Sequence, residues 1–413
     1  AAGAGAGGVV MNRIAEADGG RPGMAERKDA LADLVRQVHV NRSVGQMAAL
    51  LMVAFALFAL LRPGVFLGGY NLQVIALGAP EIGILAIAMM VTMLSGGIDL
   101  SVVSIANASA ITISMTYTAV RSGAGAELAN AVVAPLILLG LVVGLLAGAV
   151  NGLLIAKVGI TPILATLGTM QLFNGLELVV TGGRTLYGAP AGMTALGTTT
   201  LLGVPAIFLI LIAVALAVGV LLDRTPMGYR IRYQGANAEA SRFSGISPTR
   251  TLMATYTIVG LLGGIAGVVF LSRNPSASAD YGASYTLLVI VIAVLGGTNP
   301  YGGRATVLGV VLATLCLQVV ASGFTAMRLS SQQYAMAQGV ILIGVLSTLM
   351  VEDLQVLNGL KNLLALIVNG VHYIETGEET NIIGVFFRFD EEEANGITIK
   401  EYGRATSLSD VVR

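Results

Sequence analysis

Charged side chains punctuate this chain at long intervals, and the intervals set its elements. Uncharged stretches run 43–61, 82–98, 100–120, 128–156, 158–176, 185–222, 251–272, 281–303, 305–327 and 329–351. About 20 helical residues cross the hydrocarbon layer of a bilayer, with roughly 17–25 the usual range, so each stretch holds one span. The pattern predicts an all-α polytopic membrane protein of about ten transmembrane helices. The stretch 185–222 is longer than a span needs, and Thr198–Thr200 with Pro205 predict an external loop before a helix starting near residue 201. The second span is the shortest, because Glu81 sits near its start. A transmembrane barrel would alternate apolar and polar residues over segments of about ten, whereas these runs are continuously apolar.

Composition agrees with a bilayer as the main solvent. Of 413 residues only 11% are charged, against about 25% in soluble domains, and 55% are hydrophobic. Mean hydropathy is +0.83. There is too little charge to coat a water-soluble surface. The balance of 23 basic and 23 acidic residues lacks the basic excess of a nucleic-acid binder. A single cysteine, Cys316, excludes an internal disulfide framework, and with His39 and His372 as the only histidines no metal site is expected.

The basic residues orient the chain. With ten spans and a cytoplasmic N-terminus, 18 Lys and Arg fall on the cytoplasmic side, and five fall outside: Arg62, Arg121, Arg184, Arg273 and Arg328. That positive-inside bias puts both termini in the cytoplasm. Three parts follow: a cytoplasmic segment 1–42, a transmembrane domain 43–351 with a long polar loop at 223–250, and an acidic cytoplasmic tail 352–413. Ala1–Gly8 is low-complexity without an initiator Met and is expected to be disordered or a non-native remnant, and nothing in 1–42 resembles a cleaved signal peptide. In the tail, Leu354–Val368 is apolar enough for an interfacial helix. The run Asp390–Glu393 reads as a solvated surface, with partner docking as the sharper alternative.

Within the spans, glycines and polar residues stand out. Gly140, Gly144, Gly148 and Gly152 recur every fourth residue of the fourth span, a stripe that admits a neighbouring helix at close range. Gly260, Gly263, Gly264 and Gly267 repeat the device in the seventh. Polar residues inside lipid are costly and therefore informative. Ser104, Asn107 and Ser114 share a face of the third span; Gln171 and Asn174 share one in the fifth, with Glu177 beyond them. Neutral amides and hydroxyls of this kind suit a pathway for sugar hydroxyls, although bridging between helices accounts for them too. Gln318, alone in the ninth span, reads as helix glue. In Ser95-Gly-Gly-Ile-Asp-Leu-Ser101, two glycines and then Asp99 and Ser101 predict a tight break and a capped helix start, with a coupling-proton role for Asp99 as the lesser alternative. In the loop, Asn237-Ala-Glu-Ala-Ser-Arg-Phe243 predicts a short amphipathic helix lying along the membrane, capped by Asn237 and ended by Gly245.

Four blocks in order carry a resemblance: Ser95-Gly-Gly-Ile-Asp-Leu-Ser101, Ala165-Thr-Leu-Gly168, the Gly-Ala-Asn-Ala-Glu-Ala to Ser-Gly-Ile loop at 235–246, and Leu295-Gly-Gly-Thr-Asn-Pro-Tyr-Gly-Gly303. Together they resemble the permease subunits of ribose-type ABC sugar importers, over roughly residues 45–351. Gly96, Gly97, Asp99, Ser101, Gly296, Gly297, Gly302 and Gly303 are the motif positions. The resemblance implies a partnership. Two permease subunits, as a homo- or heterodimer in lipid, would bind two cytoplasmic ATPases or one duplicated ATPase, and a periplasmic or extracellular binding protein would deliver the sugar. It implies further that Gly235, Asn237, Glu239, Ala240 and Gly245 dock onto the ATPase. Two departures stand against the pattern: Val103 replaces the usual Gly after Asp-Leu-Ser, and the tail after 351 is longer than usual.

The chain has four lysines, Lys28, Lys157, Lys361 and Lys400, none following a glycine. It therefore lacks a phosphate-cradling Gly-Lys-Ser/Thr loop, and ATP with Mg is expected in partner subunits only, so the chain is expected not to be an enzyme. The expected role is an importer permease with a pathway lined by Ser104, Asn107, Gln171 and Asn174. Two rival readings stand beside it: an ion-coupled secondary sugar transporter using Glu177, Glu81 or Asp99, and a purely structural membrane protein.

Overall fold

The long apolar runs fold as helices because nothing in lipid can satisfy an exposed backbone N–H or C=O. The computed structural model describes residues 44–201, 203–330, 333, 334, 336, 338 and 339. The segments 1–42 and 352–413 lie outside the described residues, including Leu354–Val368 and Asp390–Glu393. Among the described residues, eight helices are long and apolar enough to cross a membrane: α1 Val44–Leu61, α2 Gly69–Leu94, α3 Val102–Ala131, α4 Val133–Val158, α5 Pro162–Thr181, α7 Ala206–Arg224, α10 Pro248–Arg273 and α12 Val307–Ala326. The shorter helices are a single turn at Pro63–Phe66, α6 Ala191–Thr198, α8 Pro226–Ala236, α9 Ala238–Phe243 and α11 Tyr285–Leu295.

Three spans depart from their expected outlines. The second is not short: α2 has 26 residues and carries Glu81 in its interior. A single carboxylate does not end a helix when a neighbour neutralises it, and Arg273 does so here. The third runs past Arg121 and Glu127 and bends at Gly125, whose φ of +90° few other residues adopt. The expected span 281–303 contains only α11, of 11 residues, about 16 Å long at 1.5 Å per residue and too short to cross alone. Most of the expected span 329–351 lies outside the described residues.

Burial separates the helices. In their most apolar windows α2 is 83% buried, α10 72% and α3 67%, against 11% for α1 and 22% for α4 and for α5. The first three therefore form the centre, and the others turn Leu-rich faces such as Leu138, Leu146, Leu164 and Leu176 outward. Helices in lipid gain little from burying Leu against Leu, so close backbone approach must hold them. At the α4–α10 crossing, a Cβ on Gly144 would lie 2.7 Å from the Gly264 Cα and one on Gly148 2.7 Å from the Gly260 Cα. The two glycine stripes thus face each other, backbone on backbone. Gln318 Nε2 donates to the Gly78 carbonyl at 3.2 Å, tying α12 to α2.

Irregular segments supply the remaining order. The stretch before α7 holds α6 and a hairpin of β2 (Thr200–Leu201) and β3 (Val204–Pro205), and β1 (Leu186–Tyr187) pairs antiparallel with β4 (Ser276–Ala277).

Candidate functional site

The blocks Ser95–Ser101, 235–246 and Leu295–Gly303 meet at one end of the bundle, where α8 and α9 stand. After Leu94 the chain turns through Ser95–Gly97, with the Ser95 hydroxyl donating to the Thr92 carbonyl at 2.8 Å and Gly96 at φ +85°. The Gly303 N–H donates to the Leu94 carbonyl at 3.0 Å. Gly235, at the end of α8, is wedged against both: its Cβ, if present, would lie 2.8 Å from the Gly303 nitrogen and closer still to the Leu94 oxygen. A Cβ on Gly302 would lie 2.9 Å from the Gly235 Cα. Three blocks far apart in sequence therefore touch through bare backbone. Gly297 and Gly302 adopt φ +87° and +102°, and Thr306 Oγ1 donates to the Gly296 carbonyl at 2.9 Å, closing the loop that carries them.

Asp99 is fully buried. Its Oδ1 accepts from the Ser101 N–H at 2.9 Å and the Ser101 hydroxyl at 2.6 Å. Asn151 Nδ2 on α4 donates to Ser101 Oγ at 2.7 Å, and Thr169 Oγ1 on α5 donates to Asn151 Oδ1 at 2.6 Å. Ser101 stands at the N-cap of α3, but its side chain makes no cap bond; Asp99 instead holds the Ser101 N–H and hydroxyl in a turn just ahead of the helix, so neither side chain caps α3 as expected. Sequence reasoning missed Asn151 and Thr169. Asn151 stands near the end of an apolar run and Thr169 among several other polar residues of its span, and only the packing of α4 beside α5 shows that they share a network.

The loop presents two helices where one was expected. α8 is capped by Thr225 Oγ1, which accepts from the Gly228 N–H at 3.3 Å, and it buries Ile231. α9 is capped by Asn237 Oδ1, which accepts from the Ala240 N–H at 2.9 Å. Gly245 at φ +80° ends it. Glu239 and Ala240 are exposed on α9, and Phe243 is 89% exposed, which is unusual for an aromatic side chain.

A second polar cluster gathers where the linker 274–284 folds back among the helices. Asn107 Nδ2 on α3 donates to the Ala279 and Tyr281 carbonyls at 2.8 and 2.9 Å, and Asn174 Nδ2 on α5 donates to the same Ala279 carbonyl at 3.1 Å. The structure therefore brings Asn107 and Asn174 together. Ser104 is buried within α3, Ser114 Oγ donates to the Gly188 carbonyl at 2.8 Å, and Gln171 is exposed on α5. The linker is latched from α2 as well. Glu81, fully buried, accepts from Arg273 Nη1 at 2.8 Å and from the Tyr281 hydroxyl at 3.0 Å, and Asn274 Nδ2 donates to that hydroxyl at 2.9 Å. Glu81 thus lies mid-helix, not at a span's start, and it is held in an ion pair. Arg273 and Tyr281 gave no signal in the sequence because they flank spans, where such residues are common. Among the described residues no group of three or more His, Cys, Asp or Glu could hold a metal ion.

Comparison with known proteins agrees with this architecture. A family model described as branched-chain amino acid transport system / permease component matches residues 71–346. The autoinducer 2 import system permease protein LsrD of Photorhabdus laumondii is 32% identical over 72% of this chain and 88% of its own length. LsrD of Yersinia enterocolitica is 33% identical over the same shares. The ribose import permease protein RbsC of Bacillus subtilis is 35% identical over 63% of this chain and 79% of its own. No solved structure gives a significant match. The matched residues take in the buried helices α2, α3 and α10, the glycine joint at Gly235 and the α8–α9 loop, and so the chain belongs to this permease family, as a multi-pass inner-membrane subunit of an ABC importer.

Proposed function

We infer that the chain carries a monosaccharide or a similar small polar solute into the cytoplasm, driven by ATP that other subunits hydrolyse. The observation that carries this reading is the exposed, well-capped helix α9 mounted on a joint with no side-chain slack: Gly235 against Leu94 and Gly303. A rigid lever whose outer face is exposed suits a surface driven by a partner. Its root touches the end of α2, the most buried span. A push on Glu239, Ala240 or Phe243 therefore reaches the centre of the bundle through backbone contacts, which deform little.

The solute class is supported by the relatives named for ribose and autoinducer 2 import and by the neutral amides of Asn107 and Asn174. In this reading two permease subunits, identical or not, flank the pathway. ATP and Mg bind the partner ATPases, and a binding protein delivers the solute on the far side. ATP-driven uptake of D-ribose by vesicles holding the purified assembly tests the scheme. Uptake that requires the ATPases and survives an uncoupler is expected; uptake by this subunit alone would refute it.

A further inference from the structure

Glu177 on α5 is 4% exposed, and neither of its carboxylate oxygens has a hydrogen-bond partner. An unpaired buried carboxylate is among the most costly arrangements a fold can keep. One turn before it on the same helix is Asn174, which holds the Ala279 carbonyl at 3.1 Å. The next linker residue, Asp280, brings a second carboxyl group into the neighbourhood of Glu177. Asn107, 3% exposed, approaches the same linker from α3. Its amide orientation is fixed, because its nitrogen donates to two carbonyls, and so its oxygen, which has no partner, faces as an acceptor only.

The geometry points to a binding site for the hydroxyl groups of a polyhydroxylated solute, formed by Asn107, Asn174 and Glu177 around Ala279–Asp280 at the head of the half-length helix α11. The chemistry selects hydroxyls. The unpartnered oxygens of Asn107 and Glu177 call either for hydrogen-bond donors, such as hydroxyls or an ammonium group, or for direct contact with a metal ion. Asn174, however, spends only one of its two amide protons on Ala279, and a hydroxyl can accept the second while donating to a carboxylate. A metal cation has no use for a donor. The site sits where irregular backbone enters the bundle beside a broken span, the place where a membrane fold can offer polar groups without unfolding a whole helix.

This assignment rests on the importer reading, and one experiment separates the two. The assembled transporter in lipid nanodiscs is treated with dicyclohexylcarbodiimide, which modifies carboxyl groups in apolar surroundings, and labelling of the Glu177 peptide is read by mass spectrometry. Millimolar D-ribose, D-glucose, myo-inositol or sodium chloride is added in separate arms. At least one of the three polyols is expected to lower Glu177 labelling several-fold, sodium chloride is expected to leave it unchanged, and Asn107→Leu is expected to abolish the protection. Protection by no polyol, protection by sodium, or a wild-type Glu177 that never reacts would each overturn the site. In parallel, Glu177→Leu is expected to raise the KM for uptake of the protecting polyol at least about tenfold and Glu177→Gln, which keeps one acceptor, to raise it less. Equal KM values in wild type and Glu177→Leu would also overturn it. ATP-driven uptake without protection defeats the site alone, and protection without ATP-driven uptake defeats the importer reading alone.

Discussion

Gly235→Ala is the most economical test of the joint between lever and bundle. The added Cβ would stand 2.8 Å from the Gly303 nitrogen, 2.9 Å from the Leu94 carbonyl carbon, and nearer yet to the Leu94 oxygen. Ordinary contact begins near 3.4 Å, so the segments must part by roughly half an ångström at Gly303 and by more than that at the Leu94 oxygen, and all the atoms involved are backbone with no rotamer to change. Overpacking of this kind costs about 1–3 kcal/mol. The Gly303 N–H to Leu94 bond at 3.0 Å lies in the same contact, and weakening it adds about 1 kcal/mol. The sum, about 2–4 kcal/mol, corresponds to roughly a 30- to 1,000-fold change in an equilibrium constant. The control is Gly219→Ala in α7, where a Cβ would meet nothing within 4 Å. Thermostability of fluorescent-protein fusions, followed by size-exclusion chromatography after heating, should fall by several degrees for Gly235→Ala and hold for Gly219→Ala. Solute taken up per ATP hydrolysed should fall in the same variant. If Gly235→Ala matches the control in both measurements, the joint transmits nothing and the reasoning fails.

Other outcomes follow from the same contacts. Gly148→Ala and Gly260→Ala each force α4 from α10, but their added methyls occupy one gap, so the double variant should lose less stability than the sum of the singles; strict additivity in a double-mutant thermostability cycle would contradict the shared crossing. Arg273→Ala leaves the buried Glu81 carboxylate without its partner and should cost about 3 kcal/mol or more, while Arg273→Met with Glu81→Gln should recover most of the thermostability. Glu239→Ala and Gly245→Val should reduce co-purification of the ATPase with membrane insertion intact, and unchanged co-purification of both would remove α9 from the docking surface. Asn174→Ala should slow uptake without loss of assembly and more than Gln171→Ala does, because only Asn174 touches the linker at Ala279; equal rates would return Asn174 to helix packing.

Much of the fold was legible because lipid imposes one strong rule. A run of uncharged residues must be a helix if it is to cross, and eight runs gave helices of spanning length among the described residues. Glu81 shows where the rule misleads. Counting charges placed a boundary at a residue whose charge is cancelled by Arg273, which lies 192 positions away in sequence. The half-length α11 was hidden for the opposite reason: residues 281–303 carry no charge, yet Gly282 before it and Gly297 after it, both at positive φ, bound the helix at its two ends. Asn237 and Gly245 marked α9 correctly because a cap is a local device. α8 beside it went unseen although Thr225 and Pro226 give it a local start signal; its stability comes also from burying Ile231.

The sequence by itself determined that the chain lives in a membrane, where most of its helices begin and end, and which glycines could admit a neighbour. Hydrophobic run length, capping and small-residue spacing are properties of neighbouring residues, so a linear reading captures them. Only the tertiary structure decided which partners those features meet: Gly148 with Gly260, Gly235 with Leu94 and Gly303, Glu81 with Arg273, and Asn107 with Asn174 on one carbonyl. Such pairings depend on how whole helices cross, and that is fixed by packing across the entire bundle.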